Sequence, residues 1–179
     1  AVKQIHFPDT MERLIEARKR LVFDEFFLFI MGMQYQKEKR TRQENRFVME
    51  HPEFVEELIQ KLPYELTGAQ RRALHDVMEN MQGPYAMQRL IQGDVGSGKT
   101  ILAFLAMAWC AQNGYQSAIM APTEVLAQQH YETFQKLCEQ FGLHFPVILL
   151  TGSMTAKQKR SAYERLELYE NALIVGTHA

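Results

Sequence analysis

From Met11 to about Lys39 the apolar residues recur at helical spacing: Leu14, Ala17 and Leu21, then Phe23, Phe26, Phe27 and Ile30. No proline interrupts the stretch, and its only glycine is Gly32. This predicts one long helix, capped by Asp9 or Thr10 just after Pro8. Residues 1–7 read as extended. So many Phe and Met side chains would be costly to leave in water, so the helix is expected to pack on the following domain or on another piece of protein. Lys37, Lys39, Arg40, Arg42 and Arg46 follow as a basic cluster. It reads as a solvated helix end, with cations near the negative dipole pole, ahead of phosphate contact. Residues 41–51 read as a polar linker, which divides the chain into 1–51 and 52–179.

Beyond Pro52 the pattern changes to short helices and then to alternating strands and helices. Helices are predicted over residues 53–62 and from the Thr67 cap to about Met81, with Gly83-Pro84 as a stop. Arg89-Leu90-Ile91-Gln92 reads as a strand, and the segment from about Gly98 to Cys110 as a helix closed by Asn113-Gly114. Buried-type strands follow at residues 117–121, 145–150 and 172–175. Helices between them run over about 124–141 and 155–170. Strands alternating with helices of this length predict βαβ units and a parallel sheet.

Between the first of those strands and its helix lies Gly93-Asp94-Val95-Gly96-Ser97-Gly98-Lys99-Thr100. It fits G-x-x-x-x-G-K-[ST] at every fixed position. Glycines let the backbone take positive φ and approach a phosphate closely. Successive N–H groups then form an anion-binding concavity, reinforced by the helix N-terminus. Lys99 is placed to reach the β- and γ-phosphates, and the Thr100 hydroxyl to ligate Mg²⁺. The Lys-Thr pair has no packing reason to sit in a plain glycine turn. Leu21-Val22-Phe23-Asp24-Glu25 imitates the acidic strand that accompanies such a loop, but its flanks have helical period and no turn bounds it.

Composition narrows the picture modestly. The 179 residues are 46% hydrophobic and 23% charged, which suits a globular core. A net charge of −1 gives no global basic signature, so nucleic-acid binding would need a local surface. Cys110 and Cys138 read as reduced thiols of a cytoplasmic protein. The most apolar segment, residues 21–33, carries Asp24 and Glu25 and is shorter than the about 20 residues a membrane helix needs.

Three strand ends carry small polar tripeptides: Pro122-Thr123-Glu124, Thr151-Gly152-Ser153 and Gly176-Thr177-His178. In an open parallel sheet, ligands bind outside the carboxyl ends of the strands. Together the tripeptides outline a row of N–H and hydroxyl donors beside the nucleotide loop, suited to the phosphates of a polymer. A kinase acting on a small molecule would share Lys99 and Thr100 but would not need this rim. Gln70 carries an amide that could pair with an adenine edge, and its spacing alone favours a surface position.

Leu66-Thr67-x-Ala69-Gln70, the 93–100 loop, Ala121-Pro122-Thr123-Glu124-x-Leu126-Ala127-x-Gln129-His130, Thr151-Gly152 and Gly176-Thr177-His178 resemble the ordered motifs of superfamily 2 DNA helicases. The Gln-Gly-Asp-Val-Gly-Ser-Gly-Lys-Thr form and the leading Ile5-His6-Phe7-Pro8 and Arg20-Leu21-Val22-Phe23-Asp24-Glu25 segments resemble the branch-migration helicases among them. The transcription-repair coupling factors share the Gly-Asp-Val-Gly and Gly-Thr-His pieces, but the leading segment less.

The resemblance implies an α/β P-loop NTPase fold of RecA-like type, with the long N-terminal helix in front. It implies ATP and Mg²⁺ as cofactors. Gln70 would read adenine, Tyr64 would lie near the base, and Gly93, Asp94, Val95, Gly96, Ser97, Gly98, Lys99 and Thr100 would hold phosphates and metal. Pro122, Thr123, Thr151, Gly152, Thr177 and His178 would face DNA. The family acts on Holliday junctions and stalled replication forks. The Asp-Glu box and the second motor domain, which the family places further on, are not in this sequence. The expectation is therefore a fragment that binds Mg·ATP without efficient hydrolysis. Its sheet would be truncated at the C-terminus and prone to self-association through unpaired strand edges.

Overall fold

The computed structural model describes residues 1–39 and 43–178, the side chains of residues 37–39 excepted. The chain forms two compact units, Ala1–Gln43 and Glu44–Ala179.

The first unit is a helical pair, α1 (Val2–His6) and α2 (Met11–Lys39). The extended start expected for residues 1–7 is thus a single helical turn. An extended segment needs a partner strand for its N–H groups, whereas a turn satisfies them internally. The turn is tied down by Gln4, whose Oε1 accepts from the Asp9 N–H at 3.0 Å. Thr10, not Asp9, caps α2 by accepting from the Arg13 N–H at 3.3 Å. Asp24 lies within the helix and pairs with Arg20 at 3.1 Å, so it belongs to no acidic strand. Phe23, Phe26, Phe27 and Phe29 are all half exposed or more. Apolar residues thus spread round the helix, as on a helix that larger proteins bury on several sides. Among the described residues no helix is long and apolar enough to cross a membrane. Arg40 and Arg42 of the basic cluster lie outside the described residues, as do the side chains of Lys37 and Lys39; Arg46 is exposed.

The second unit carries α3 (Glu53–Gln60), α4 (Gly68–Gln82), α5 (Lys99–Gln112), β1 (Ser117–Ala121), α6 (Glu124–Phe141), β2 (Val147–Leu150), α7 (Ala156–Leu168) and β3 (Leu173–Thr177). The strands form a parallel sheet in the order β1-β3-β2. Register pairs Ala121 with Thr177 and Leu150 with Gly176. β2 starts only at Val147 because Pro146 has no N–H to give the ladder.

Arg89-Leu90-Ile91-Gln92, expected as a strand, forms none. Its residues pair with no described strand, and Leu90 stands 87% exposed. A strand exists only as one side of a ladder, so an apolar run without a neighbour stays irregular. The segment is instead moored to α4: the Arg89 guanidinium donates to Asp76 at 2.8 Å and to Asn80 at 3.0 Å.

Residues 44–50, which read as polar linker, are packed into this unit. Met49 is buried. The Asn45 amide donates to the Met81 and Gly83 carbonyls, both at 2.9 Å, and so satisfies the end of α4. The Trp109 indole donates to the Glu50 carbonyl at 2.6 Å.

Side-chain alternation sorts β2 between two cores. Val147 and Leu149 join the main cluster with Phe104, Trp109, Phe134 and Phe141, where the Phe104 and Phe134 rings meet edge to face at 5.3 Å. Ile148 and Leu150 face Ala162 and Leu166 of α7 in a smaller cluster. Over β1 that second face is open, and Met120 is 72% exposed.

Gly176 is required where β2 and β3 approach, since a Cβ there would lie 2.6 Å from the Leu150 carbonyl oxygen. That oxygen is backbone and cannot rotate away. Gly176→Ala is expected to cost about 1–3 kcal/mol as overpacking. Urea unfolding should show it as a lower midpoint; an unchanged midpoint would contradict the close approach.

Candidate nucleotide and nucleic-acid site

The glycine loop enters α5. Gly98 is its N-cap with φ 79°, and Gly96 has φ 82°. Both lie in the left-handed region, which L side chains seldom adopt. A Cβ on Gly98 would also collide with the Gln70 amide nitrogen. The loop is closed by the Ser97 N–H donating to the Asp94 carbonyl at 3.1 Å, and Val95 is fully exposed at its tip. The Lys99 ammonium folds back into the loop. It donates to the Gly93 carbonyl at 2.6 Å, the Asp94 carbonyl at 2.7 Å and the Ser97 hydroxyl at 3.2 Å. Thr100 is half buried on the first turn of α5.

These residues fit a polyphosphate. Two left-handed glycines, a helix start and an exposed cation supply the donors that phosphate oxygens need. Among the described residues no group of three His, Cys, Asp or Glu side chains could hold a metal ion. A Mg²⁺ bound with a nucleotide is held mostly by phosphates and water, and the Thr100 hydroxyl is the side chain of this loop that would join them.

Gln70 is not a free surface residue. Its Oε1 accepts from the Thr67 N–H at 2.8 Å while the Thr67 hydroxyl accepts from the Gln70 N–H at 3.3 Å. That is a capping box on α4, and Thr67-x-x-Gln70 is its sequence signature. Its Nε2 donates to the Ser97 carbonyl at 2.8 Å. One side chain thus joins the cap of α4 to the phosphate loop. Tyr64 is exposed.

The position of the loop follows from chain tracing. α5 packs on β1 and β3, and it reaches β1 through only four residues, 113–116. The Ser117 hydroxyl donates back to the Met107 carbonyl at 3.4 Å. The helix therefore runs antiparallel to β1, and its N-terminus lies at the carboxyl end of the sheet. Pro122, Thr123, Thr151, Gly152, Thr177 and His178 share that end because the strands are parallel. Pro122, Thr123, Gly152 and His178 are exposed, Thr177 is half buried and Thr151 is buried. The Thr123 hydroxyl caps α6 through the Leu126 N–H at 3.3 Å. The Thr177 hydroxyl is buried without a partner, alone among the described side-chain atoms. No described hydrogen bond joins this rim to the glycine loop.

Glu124 was not singled out by the sequence, where it reads as part of a strand-end turn. Its carboxylate accepts from the Ser153 N–H at 2.8 Å, across 29 residues of chain. No local periodicity could have shown this contact. Hydrogen bonds from the Ser153 hydroxyl and N–H, aided by the Gly152 N–H and the charge of Lys159, hold its pKa below the ordinary 4.5.

Residues 67–179 match the DEAD/DEAH box helicase family, so the chain belongs to that family. Within it the chain is similar to the ATP-dependent DNA helicase RecG. It is 45% identical to the protein of Synechocystis sp. over 181 residues, which is 100% of this chain and 21% of that protein. It is 42% identical to that of Bacillus subtilis over 180 residues, 100% of this chain and 26% of that protein. A solved structure of RecG bound to a three-way DNA junction superposes with a TM-score of 0.76 at 35% identity, over 98% of this chain and 24% of that one. The chain thus spans about a quarter of the length of these relatives. The fold expected from the motifs, a RecA-like α/β sheet flanked by helices behind a long N-terminal helix, is the one observed.

A carboxyl with a lowered folded-state pKa stabilises the fold above its unfolded value, and loses that contribution as pH falls through the folded value. The Glu124 bonds should therefore persist below pH 4.5 and break only in more acidic solution. Carboxyl-carbon NMR titration should place its midpoint below that value. A midpoint at or above it would contradict the contact.

Proposed function

We propose that this chain binds Mg·ATP in the 93–100 loop and a DNA strand along the carboxyl-end rim, as part of an ATP-dependent DNA helicase. The observation that carries the reading is the loop itself: left-handed Gly96 and Gly98 deliver an exposed Lys99 to the start of α5. On binding, Lys99 exchanges its three neutral acceptors for phosphate oxygens, a charge-assisted and stronger set of partners. Gly96 and Gly98 would offer backbone N–H groups to the phosphates, the Ser97 N–H being engaged by the Asp94 carbonyl, and Thr100 would hold the metal. Gln70 would read adenine with the amide hydrogen and lone pair left over from its bonds to Ser97 and Thr67.

DNA would be held through Pro122, Thr123, Thr151, Gly152, Thr177 and His178. The strand-end turns expose Pro122, Thr123, Gly152 and His178, and small polar turns of this kind suit a phosphate backbone. The RecG relatives are named as DNA helicases, and one is solved on a three-way junction. By analogy the whole protein would act on branched DNA, migrating Holliday junctions and regressing stalled forks in repair and recombination. The apolar surface of α2 would then pack against the remainder of such an enzyme. Self-association of this chain through its outer strand edges belongs to the same proposal.

Phosphoryl transfer is mostly positioning and charge stabilisation, and in the glycine loop Lys99 and the Thr100 hydroxyl are the groups this reading gives to it. Binding without appreciable turnover is expected. In calorimetry, Mg·ATP should bind and Mg·GTP should bind at least about tenfold more weakly, a difference of about 1.4 kcal/mol. Lys99→Ala should abolish the ATP signal. Equal affinity for both nucleotides would remove Gln70 from adenine reading. Binding that survives Lys99→Ala would remove the loop from the site.

A further inference from the structure

Two of the three rim turns are not neighbours. β1 and β2 flank β3, so the turns that follow them are separated by two strand spacings, about 9–10 Å. Each turn has its own internal order. Thr123 caps α6, and Thr151 accepts from Met154 N–H while its hydroxyl meets that of Ser153 at 3.4 Å. Neither set crosses from one turn to the other. Among the described residues the hydrogen bonds that do cross end on the Glu124 carboxylate, and in the best defined of them the Ser153 N–H donates to Oε1 at 2.8 Å. This contact spans the end of β3, where Thr177 and His178 lie.

The chemistry of this contact is unusual for its place. A carboxylate on a surface that meets phosphates repels the ligand, so charge alone would favour an uncharged or basic residue at position 124. The side chain is exposed, so the bond adds little to global stability. What it does add is geometry. It fixes the separation of two turns that otherwise depend only on their own strands.

We propose that Glu124 is a positioning residue for DNA, a brace that holds the Pro122-Thr123 and Thr151-Gly152-Ser153 turns at the spacing a phosphate backbone requires. The proposal rests on the rim being the DNA surface. Ordering those turns in advance lowers the cost of binding.

Charge and geometry make opposite predictions, which renders the brace testable. Glu124→Gln keeps an acceptor oxygen for the Ser153 N–H and removes a like charge. Glu124→Ala removes both. Duplex DNA binding by this chain would be followed by fluorescence anisotropy for the wild type and both variants, with Mg·ATP affinity as the folding control. Amide exchange of residues 151–153 and 177–178 would be followed with and without DNA. The brace predicts that Glu124→Ala weakens DNA binding about tenfold. It predicts that Glu124→Gln binds as well as the wild type or better. ATP affinity should be the same in all three. Glu124→Ala binding as tightly as the wild type, or more tightly, would overturn the brace while DNA still protects the rim. Absence of DNA protection at residues 151–153 and 177–178 would overturn the rim reading and the brace with it.

Discussion

The pairing of β3 between β1 and β2 is the contact on which the rest of the structure depends. Parallel register aligns the carboxyl ends of all three strands, and with them the three polar turns. The pairing is close enough that only glycine fits at position 176 against the Leu150 carbonyl. The sheet it completes separates two cores, one shared by α5 and α6 and a smaller one between β2 and α7. Because α5 returns to β1 through a short turn, the glycine loop must open at the same end as the turns. One sheet edge therefore collects a cation, two left-handed glycines and a row of hydroxyls and N–H groups.

Around that edge, single side chains do the joining. Gln70 holds the phosphate loop to the cap of α4, and Arg89 holds the segment before the loop to the middle of the same helix. Asn45 and Trp109 fasten residues 44–50 across α4 and α5. Helix termini and loops are where unpaired backbone groups occur, so these are the places where a polar side chain has most to offer. The site is thus built on the ends of packed elements. Its order comes from a few hydrogen bonds laid over the main core.

Much of this was legible in the sequence because its causes are local. The 117–121 strand and the 124–141 helix lie where hydrophobic period and stop residues place them. The long helix covers Met11–Lys39, the stretch over which its period runs. What could not be read there depends on partners distant in the chain. Leu90 and Ile91 have strand-like composition, yet no described strand lies beside them. Ile5 and His6 coil because a turn satisfies their backbone where no ladder is offered. Gln70 looked like a surface residue although Thr67-x-x-Gln70 spells a capping box; that signal was present and local. Its second bond, to Ser97, and that of Glu124 to Ser153 carry no local signal at all.

The central claim is that this edge serves a nucleotide and a nucleic-acid backbone together. The salt dependence of duplex DNA binding tests it most directly, because each phosphate contact releases counterions. The account predicts measurable binding whose log affinity falls linearly with log salt, with a slope of about −0.9 for each phosphate contacted. Binding that is absent at low salt, or that is indifferent to salt, would contradict it.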